Sequence, residues 1–418
     1  MIARDNYLQK LIDRMNNGMI KVVTGIRRWG KSYLLFDIFY NYLVQNGVDK
    51  EHIISLQLDD RMNIRYRNPD LLCEYVHNKI VDEKNYFILL DEVQYVNEFE
   101  DVLNSFLHIN NADVYVTGSN AKFLSSDIIT EFRGRGDQIY LTPLSFKEFF
   151  DYSKLDFDEA WNEYSMYGGM PYLLMCKTDQ QKIQYLDSLF MFKETYIKDI
   201  VNRNAIRNTD VLEDVLNIVA SSVGSLTNPN KLSNSFKTLK KINVAPNTIK
   251  EYLDYCIDSF LIQKAYRYDV KGKKYIDTPL KYYFTDIGLR NIRLGFRQQE
   301  ETHIMENIIY NELITRGYQV DVGVVEISEK NENNNFVRKQ LEVDFVCNLG
   351  YERIYIQSAL NIDDITKKQQ EEKSLIKIDD NFRKIIVVKG NIRKWKDENG
   401  ILIIGLKEFL TCPESIYS

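Results

Sequence analysis

One short segment near the amino terminus has residue types and spacing suited to binding phosphate. Residues 25–32 read Gly-Ile-Arg-Arg-Trp-Gly-Lys-Ser, which is the G-x-x-x-x-G-K-S pattern of a phosphate-binding loop, or P-loop. Its two glycines let the backbone curl so that several N–H groups face a phosphate. Lys31 is expected to reach the β- and γ-phosphates of a nucleotide, and the Ser32 hydroxyl is expected to ligate Mg²⁺. The nucleotide-binding candidates from this segment and the residue after it are Gly25, Arg27, Arg28, Gly30, Lys31, Ser32 and Tyr33.

Two adjacent carboxylates could complete this site. Asp91 and Glu92 follow the apolar run 86–90, so they would stand at the end of a buried strand. Asp91 is expected to hold Mg²⁺ beside Ser32, and Glu92 stands where a carboxylate can polarise an attacking water. In isolation, a solvated strand end would be the better explanation of the pair. After a P-loop lysine, the catalytic interpretation is favoured.

Further polar residues could orient the water or neutralise charge at the terminal phosphate. Ser119 or Asn120, after the apolar run 113–117, fits the first role, although Gly-Ser-Asn is also ordinary turn chemistry. An arginine could stabilise the transition state from the same subunit or from a neighbour. The sequence does not choose among four such arginines, which could equally be surface residues: Arg27, Arg28, Arg133 and Arg135.

These residues can come together only if they lie at the ends of strands that share one edge of a sheet. The apolar runs 20–24, 86–90 and 113–117 predict three buried strands, and residues 33–39 have the apolar density of a helix. A strand, a glycine loop and a helix in that order bring the positive amino-terminal end of the helix to the phosphate. The chain is therefore expected to begin with an α/β P-loop domain.

Several motifs together resemble one branch of the prokaryotic AAA-type ATPases, which are usually labelled only as ATP-binding proteins. The similar segments are residues 24–32, 89–94, 117–120, 141–149 and 167–171. The resemblance covers nearly the whole chain. It implies binding of ATP with Mg²⁺, a helical lid, a winged-helix-like middle domain and a restriction-endonuclease-like C-terminal domain, but no settled biological role.

The chain of 418 residues is expected to comprise four parts. Ser145 and Glu148 have capping-box spacing at the start of a helical region, and the Gly-Gly-Met-Pro sequence at 168–171 breaks the helical pattern. Further on, helices at 211–223 and from residue 246 precede two strands, which is winged-helix order. The predicted boundaries are 1–144 for the ATPase core, 145–205 for the helical lid, 206–297 for the winged-helix-like domain and 298–418 for the restriction-endonuclease-like domain.

The winged-helix-like region has opposing features for DNA binding. Lys271, Lys273 and Lys274 lie in the turn between the two strands and could contact phosphates. The helix that would enter the groove carries three carboxylates that would repel a phosphate backbone: Glu251, Asp254 and Asp258. A protein-contact module is therefore favoured over DNA binding.

The last third has the element order of PD-(D/E)xK nucleases but an incomplete site. In such a nuclease a helix Glu, a strand Asp and a strand E-x-K gather around Mg²⁺. Glu306 and Asp344 fit the first two positions, whereas the third motif reads Gln-Ser-Ala from Gln357. Gln357 could be a weak metal ligand through its carbonyl, but alanine cannot replace the lysine. Lys367 or Lys368 on the next helix could substitute for it, although nothing in the sequence shows that either does. A non-catalytic domain that keeps the fold is favoured.

Bulk composition limits the choice of function and location. The net charge is −6 and the pI about 5.5, so there is no chain-wide electrostatic case for nucleic-acid binding. The five cysteines are scattered without a C-x-x-C pair, which argues against a disulfide framework or a zinc site. The amino terminus has no apolar signal core, and no stretch approaches about eighteen uninterrupted apolar residues. A cytoplasmic protein without a membrane partner is expected.

The leading hypothesis from the sequence is an ATP-driven molecular switch. It would be a slow Mg²⁺-dependent ATPase whose downstream domains respond to nucleotide state. An ATP-gated DNA nuclease and a DNA-binding regulator are the alternatives. The expected partners are ATP and ADP, a DNA or protein partner through residues 206–418, and further copies of the chain if an arginine acts from a neighbouring subunit.

Overall fold

The computed structural model describes residues 2–118, 132, 134–191, 200–201, 204–330, 335–390 and 392–417. The chain divides into two compact units. Unit 1 comprises Met1–Pro143 with Asp258–Phe260, and unit 2 comprises Leu144–Ile257 with Leu261–Ser418. Among the described residues, no helix is long and apolar enough to cross a membrane.

Unit 1 is built on a parallel β-sheet. Its described strands are β1 (Ile20–Thr24), β2 (Ile53–Gln57), β3 (Tyr86–Asp91), β4 (Ala112–Thr117) and β5 (Gly136–Tyr140). They pair in the order β2-β3-β4-β1-β5, and each pairing is parallel. The carboxyl ends of these strands therefore lie at one edge of the sheet, and the α/β expectation for this part of the chain is confirmed.

The central strands of this sheet are apolar along most of their length. β1 and β3 are buried at every position, as expected for parallel strands covered on both faces. The helices of the unit are α1 (Asp5–Ile12), α2 (Lys31–Tyr33), α3 (Tyr40–Gln45), α4 (Pro69–Lys79) and α5 (Phe99–Phe106), with a π-helical segment (Leu34–Phe39) between α2 and α3 and 3-10 turns at Lys50–His52, Arg61–Arg67 and Val93–Tyr95. The helix predicted after the P-loop is confirmed, but its middle is π-helical, a form frequent at functional sites.

Unit 2 contains a mixed β-sheet. Its described strands are β6 (Ile262–Asp269), β7 (Lys274–Phe284), β8 (Gln319–Lys330), β9 (Phe336–Leu349), β10 (Glu352–Ala359), β11 (Arg383–Val388), β12 (Trp395–Lys396) and β13 (Leu402–Gly405). They pair in the order β12-β13-β11-β10-β9-β8-β6-β7. β9 is antiparallel to both β8 and β10, and β10 is parallel to β11.

Helices precede this sheet and connect its strands. They are α6 (Phe146–Ser153), α7 (Phe157–Tyr167), α8 (Asp179–Met191), α9 (Thr209–Ser221), α10 (Pro229–Ser235), α11 (Pro246–Asp258), α12 (Ile287–Arg293), α13 (Glu301–Thr315), α14 (Ile365–Ile376) and α15 (Leu406–Thr411), with shorter turns at Pro171–Met175, Phe236–Lys240 and Pro413–Ile416. The predicted capping box begins α6: the Glu148 N–H donates to Ser145 Oγ (3.2 Å), and the Ser145 N–H donates to Glu148 Oε2 (2.9 Å).

One sheet joins segments that the sequence analysis assigns to two domains. β6 and β7 form the hairpin predicted for the middle region. β6 also pairs in parallel with β8, residues 267–269 lying opposite residues 322–324. The boundary predicted at residue 297 therefore falls between two strands of the same sheet. This contact joins segments that are distant in sequence, so no local pattern encodes it.

Polar side chains attach the carboxyl end of α7 to α12. The Asn291 amide donates to the carbonyl oxygens of Ser165 (2.8 Å) and Met166 (2.9 Å). These carbonyls lie in the last turn of α7, where no intrahelical donor is available to them. The N–H of Gly169, two residues after the helix, donates to Asp286 Oδ2 (2.7 Å). The helical region after residue 145 is thus bonded to the segment that leads into the C-terminal part.

Candidate phosphate-binding site

The P-loop segment leaves the carboxyl end of β1 as a tight turn built on two glycines. Gly25 has a φ of +140°, and a Cβ atom there would lie 2.5 Å from the carbonyl oxygen of Leu141. Gly30 has a φ of +92° immediately before Lys31, the first helical residue. Both positions favour glycine because other residues rarely adopt such angles. The segment therefore has the backbone conformation that its sequence pattern predicts.

Lys31 is folded into the loop that precedes it. Its ammonium donates hydrogen bonds to the carbonyl oxygens of Gly25 (2.9 Å) and Ile26 (3.2 Å), and the residue is 4% exposed. Burial lowers the pKa of Lys31 to about 8, and the carboxylates of Glu92 and Asp91 oppose this shift. The ammonium is therefore within electrostatic reach of both acidic candidates.

Asp91 ends β3 and is held by two hydroxyl groups. Thr117, the last residue of the neighbouring β4, donates its hydroxyl to Asp91 Oδ1. The Ser32 hydroxyl lies near Asp91 as well and favours its charged form, and Tyr33 is half-buried in the same helical turn as Ser32. Burial raises the pKa of Asp91, and the two hydroxyl groups oppose that rise. The structure thus brings together the two predicted magnesium ligands, Ser32 and Asp91.

Glu92 lies beside Asp91 in a left-handed backbone conformation, with φ 52° and ψ 50°. Its N–H donates to Thr117 Oγ1 (2.9 Å), and its side chain accepts a hydrogen bond from the Gln94 amide. A non-glycine residue in this conformation costs on the order of 1 kcal/mol, and such strain is often found at functional sites. Thr117 and Gln94 together hold Glu92 at the end of β3.

Two residues of this site are missing from the sequence-based candidates. Thr117 lies two positions before Ser119 and three before Asn120, both of which fall outside the described residues. A polar residue at the end of a buried strand next to β3 was the available signal for Thr117. Asp59 follows β2, and its charge adds to the rise in the Asp91 pKa that burial causes. Only the strand order places Asp59 there.

The arginine candidates occupy different positions. Arg27 is half-buried, and its charge adds to burial in lowering the pKa of the P-loop lysine. Arg28 is exposed, with a φ of +68°. Arg135 precedes β5, whose first residue pairs with Ile20 at the start of β1, so the length of β1 separates it from the P-loop by roughly 16 Å. The structure does not bring Arg135 to the P-loop of its own chain, and Arg133 lies outside the described residues.

Glu306 in the C-terminal segment is bonded to two side chains of β7. It accepts hydrogen bonds from the Lys281 ammonium (2.8 Å) and the Tyr283 hydroxyl (2.6 Å). Burial raises the pKa of Glu306 to about 7. Although burial by itself lowers the pKa of Lys281, the carboxylates of Glu306, Asp344 and Glu342 raise it above its ordinary value. Lys281 therefore remains a charged partner of this acidic group.

Asp344 and Gln357 lie on adjacent strands, and the side chains of both accept hydrogen bonds from other groups of the protein. Asp344 Oδ2 accepts hydrogen bonds from the N–H (2.8 Å) and hydroxyl (2.7 Å) of Ser358, and the Asp344 N–H donates to Gln357 Oε1 (3.3 Å). The ammonium groups of Lys367 and Lys368 each contact another side chain at 3.1 Å. Within the described part of the chain, no group of three or more His, Cys, Asp or Glu residues is arranged to hold a metal ion.

Comparison with known proteins extends over the whole chain. Residues 17–150 match the family model of an AAA domain, and residues 158–300 match that of a domain of unknown function (DUF8612). An uncharacterized protein of Haemophilus influenzae is 34% identical over 417 residues, which cover 98% of each chain. The uncharacterized protein MJ1544 of Methanocaldococcus jannaschii is 28% identical over 372 residues, 84% of this chain and 77% of that protein. Among solved structures, the Aeropyrum pernix ORC1 protein in complex with DNA aligns with 71% of this chain and 93% of its own, at 11% identity and a TM-score of 0.29.

Proposed function

Since the chain belongs to the same family as the Haemophilus influenzae protein and carries an AAA-type P-loop domain, we propose that it is a slow Mg²⁺-dependent ATPase acting as a nucleotide-driven switch. The observation that carries this proposal is the convergence of Lys31, Ser32, Asp91 and Glu92 at the carboxyl edge of one parallel sheet. Phosphate release from ATP is expected in Mg²⁺ and is expected to stop in excess EDTA. Turnover that persists without a divalent cation would contradict the proposal.

The residues present fit ATP with Mg²⁺. The P-loop glycines have the positive φ angles that expose backbone N–H groups to a phosphate, and Lys31 provides a buried ammonium beside them. Ser32 and Asp91, which lie near one another, would hold the cation with oxygen ligands, as Mg²⁺ prefers. When bound, ATP with Mg²⁺ supplies the γ-phosphoryl group that is transferred to water.

We assign the hydrolytic role to Glu92 and a positioning role to Thr117. Glu92 would accept a proton from, or orient, the attacking water. Thr117 bonds both to Asp91 and to the backbone of Glu92, so it sets the spacing between the magnesium ligand and the base. The Gln94 amide holds the Glu92 side chain. Turnover is expected to be slow because Glu92 must exchange this partner for water.

Replacing Thr117 by valine is expected to lower kcat by about 10- to 100-fold while ATP affinity changes little. Valine keeps the shape of the side chain but removes the hydroxyl that spaces Asp91 and Glu92, and small displacements of catalytic groups have effects of this size. Steady-state phosphate release gives kcat, and a fluorescent ATP analogue gives Kd. The matched control is Thr117→Ser, which retains the hydroxyl and should keep most activity. Equal losses in both variants would contradict a role for the hydroxyl.

ATP affinity is expected to fall as the pH rises above 8. Burial brings the pKa of Lys31 to about 8 in the nucleotide-free protein, so the ammonium is charged at pH 7 and largely neutral at pH 9.5. Phosphate binding requires the charged form, which predicts up to about a tenfold loss of affinity per pH unit above the pKa. Calorimetric titrations in two buffers should also show proton uptake at pH 9 and little at pH 7. An affinity that is constant to pH 9.5 would contradict this.

We infer a winged-helix-like arrangement for residues 206–297 and a PD-(D/E)xK-like arrangement after it. The first is supported by the order of α9, α10 and α11 before the β6–β7 hairpin, and by a bridge from Thr227 to Leu280 of β7. The second is supported by the order α13, β8, β9, β10, α14 and β11, with the strand directions given above. Contacts to the γ-phosphate can order or release segments, and we propose that these arrangements receive that signal.

We favour a protein over DNA as the partner of residues 206–418. The exposed Lys271 at the hairpin turn is only partly available to a phosphate, because its ammonium donates a hydrogen bond to the Glu326 carbonyl oxygen (3.0 Å). α11 carries exposed carboxylates, of which Asp254 lies 3.7 Å from the Lys264 ammonium. A salt-sensitive gel shift weakened by charge reversal at Lys271, Lys273 and Lys274 would instead support DNA binding.

We propose that Arg135 acts on a neighbouring copy of the chain. Arg135 is exposed and lies at the sheet edge opposite its own P-loop, so a contribution to catalysis requires a second subunit. Measuring the mass of the protein in solution with and without ATP tests this arrangement. A monomer under both conditions, with full ATPase activity, would contradict it.

A further inference from the structure

The acidic cluster of the C-terminal segment contains a lysine from outside that segment. Glu306 lies on α13, and Glu342 and Asp344 lie on β9, the positions around which a PD-(D/E)xK nuclease would gather its cation. Lys281 comes from β7, in the hairpin of the preceding region. Its ammonium lies 2.8 Å from Glu306 Oε1 and 2.7 Å from Glu342 Oε1, and its side chain is 4% exposed.

Other protein groups also contact the carboxylates of the cluster. Glu306 Oε1 accepts a second hydrogen bond from the Tyr283 hydroxyl (2.6 Å). On the other side of this carboxylate, a Cβ atom placed on Gly224 would lie 3.0 Å from Glu306 Oε2, so the backbone packs closely against it. Asp344 Oδ2 is occupied by two donors of Ser358. Binding of Mg²⁺ by Glu306 or Glu342 would require displacement of the Lys281 ammonium, because the ion needs oxygen ligands in a regular arrangement and an ammonium supplies none.

We propose that the Lys281 ammonium takes the place of the divalent cation, so that this cluster is an internal ion-pair network closed to metal. The inference rests on the PD-(D/E)xK-like arrangement proposed above and is independent of ATP hydrolysis. A buried carboxylate needs a cationic partner or a proton, and a lysine supplies the partner without a metal. The C-terminal segment then has no metal-dependent route to cleaving nucleic acid. The role of this segment is structural: the ion pairs of Lys281 hold the β6–β7 hairpin against α13 and β9.

A titration of the full-length, nucleotide-free protein with MnCl₂, followed by electron paramagnetic resonance, tests this inference. The wild-type protein and Glu342→Gln are expected to bind the same amount of Mn²⁺, because the cluster of the wild type holds none. Lys281→Ala leaves three carboxylates without their cation and is expected to gain one Mn²⁺ per chain. That ion should be lost again in the Lys281→Ala, Glu342→Gln double variant. The matched control is Lys271→Ala, an exposed lysine of the same hairpin, which should gain none.

Thermal unfolding provides a second measurement. Lys281→Ala is expected to have a lower Tm than the wild type, and saturating Mn²⁺ is expected to recover about 5 °C because an ion that binds only the folded state stabilises it. Mn²⁺ should leave the wild-type Tm unchanged.

Three results would overturn the inference. The first is Mn²⁺ bound by the wild-type protein and lost on Glu342→Gln, a result that does not depend on whether Lys281→Ala folds. The second is metal-dependent cleavage of a plasmid that is lost on Asp344→Ala. The third is a folded Lys281→Ala protein that binds no Mn²⁺. None of these results bears on ATP hydrolysis, so failure here is distinguishable from failure of the proposed ATPase.

Discussion

Replacing Lys31 by alanine is expected to abolish nucleotide binding, and replacing Glu92 by glutamine is expected to preserve binding while turnover stops. Lys31 is the buried ammonium of the P-loop, so its loss removes the charge that meets the β- and γ-phosphates. Glutamine has nearly the shape of glutamate but cannot accept a proton from water. We expect kcat to fall at least about 100-fold in Glu92→Gln, the lower end for loss of a general base.

Two measurements separate these effects. Binding of a fluorescent ATP analogue should be lost in Lys31→Ala and should stay near the wild-type Kd in Glu92→Gln, whereas phosphate release should be lost in both. The matched control is Glu98→Gln. Glu98 also has a φ of 52°, but it is exposed and lies after the 3-10 turn at Val93–Tyr95. It should keep wild-type turnover. ATPase activity that survives in both Lys31→Ala and Glu92→Gln would refute the proposed function.

Replacing Gly288 by alanine is expected to destabilise unit 2 by about 3 kcal/mol or more. A Cβ atom at this position would lie 1.8 Å from the carbonyl oxygen and 2.4 Å from the carbonyl carbon of Tyr167. These are backbone atoms, so no side chain can move aside, and α12 would have to shift away from the end of α7. Forced overpacking of this kind lies at the upper end of measured costs. The shift would also separate Asn291 and Asp286 from their bonds to α7 and Gly169.

Urea unfolding followed by tryptophan fluorescence tests this, since Trp161 is buried in α7. The matched control is Gly390→Ala, because the nearest atom to a Cβ there, apart from adjacent residues, is 3.7 Å away and its φ is not positive. That variant should unfold within about 0.5 kcal/mol of the wild type. An equally small effect of Gly288→Ala would show that α7 and α12 are not held together as described.

Three strands of unit 1, its P-loop and the helix that follows could be predicted from the sequence because their signals are local. Each buried parallel strand is a continuous apolar run, and β1, β3 and β4 match the runs at 20–24, 86–90 and 113–117. The P-loop is a conformation of eight consecutive residues, so its sequence pattern predicts its backbone conformation directly. The capping box at Ser145 is likewise defined within one helical turn.

Contacts between distant segments could not be predicted in this way. Ser119 and Asn120 were candidates for the polar residue beside β3 and lie outside the described residues, whereas the hydrogen bond from Thr117 to Asp91 was not predicted. Placing Thr117 next to Asp91 requires the register of β4 against β3. Arg135 was a candidate because it lies close to the ATPase motifs in sequence, but the parallel pairing of β5 with β1 sends it to the opposite edge of the sheet.

The sequence alone determined the chemistry proposed for the amino-terminal site, because the candidate phosphate and magnesium ligands stand in short patterns at strand ends. Tertiary structure alone decided what surrounds the C-terminal carboxylates. Lys281 and Glu306 are separated by a helix and belong to different predicted domains. The fold nevertheless places the Lys281 ammonium 2.8 Å from Glu306 Oε1. A missing lysine in the Gln357 motif can be read from the sequence. That another lysine fills the acidic cluster follows only from the order in which β6 and β7 join the sheet, because that pairing depends on contacts distant in the chain.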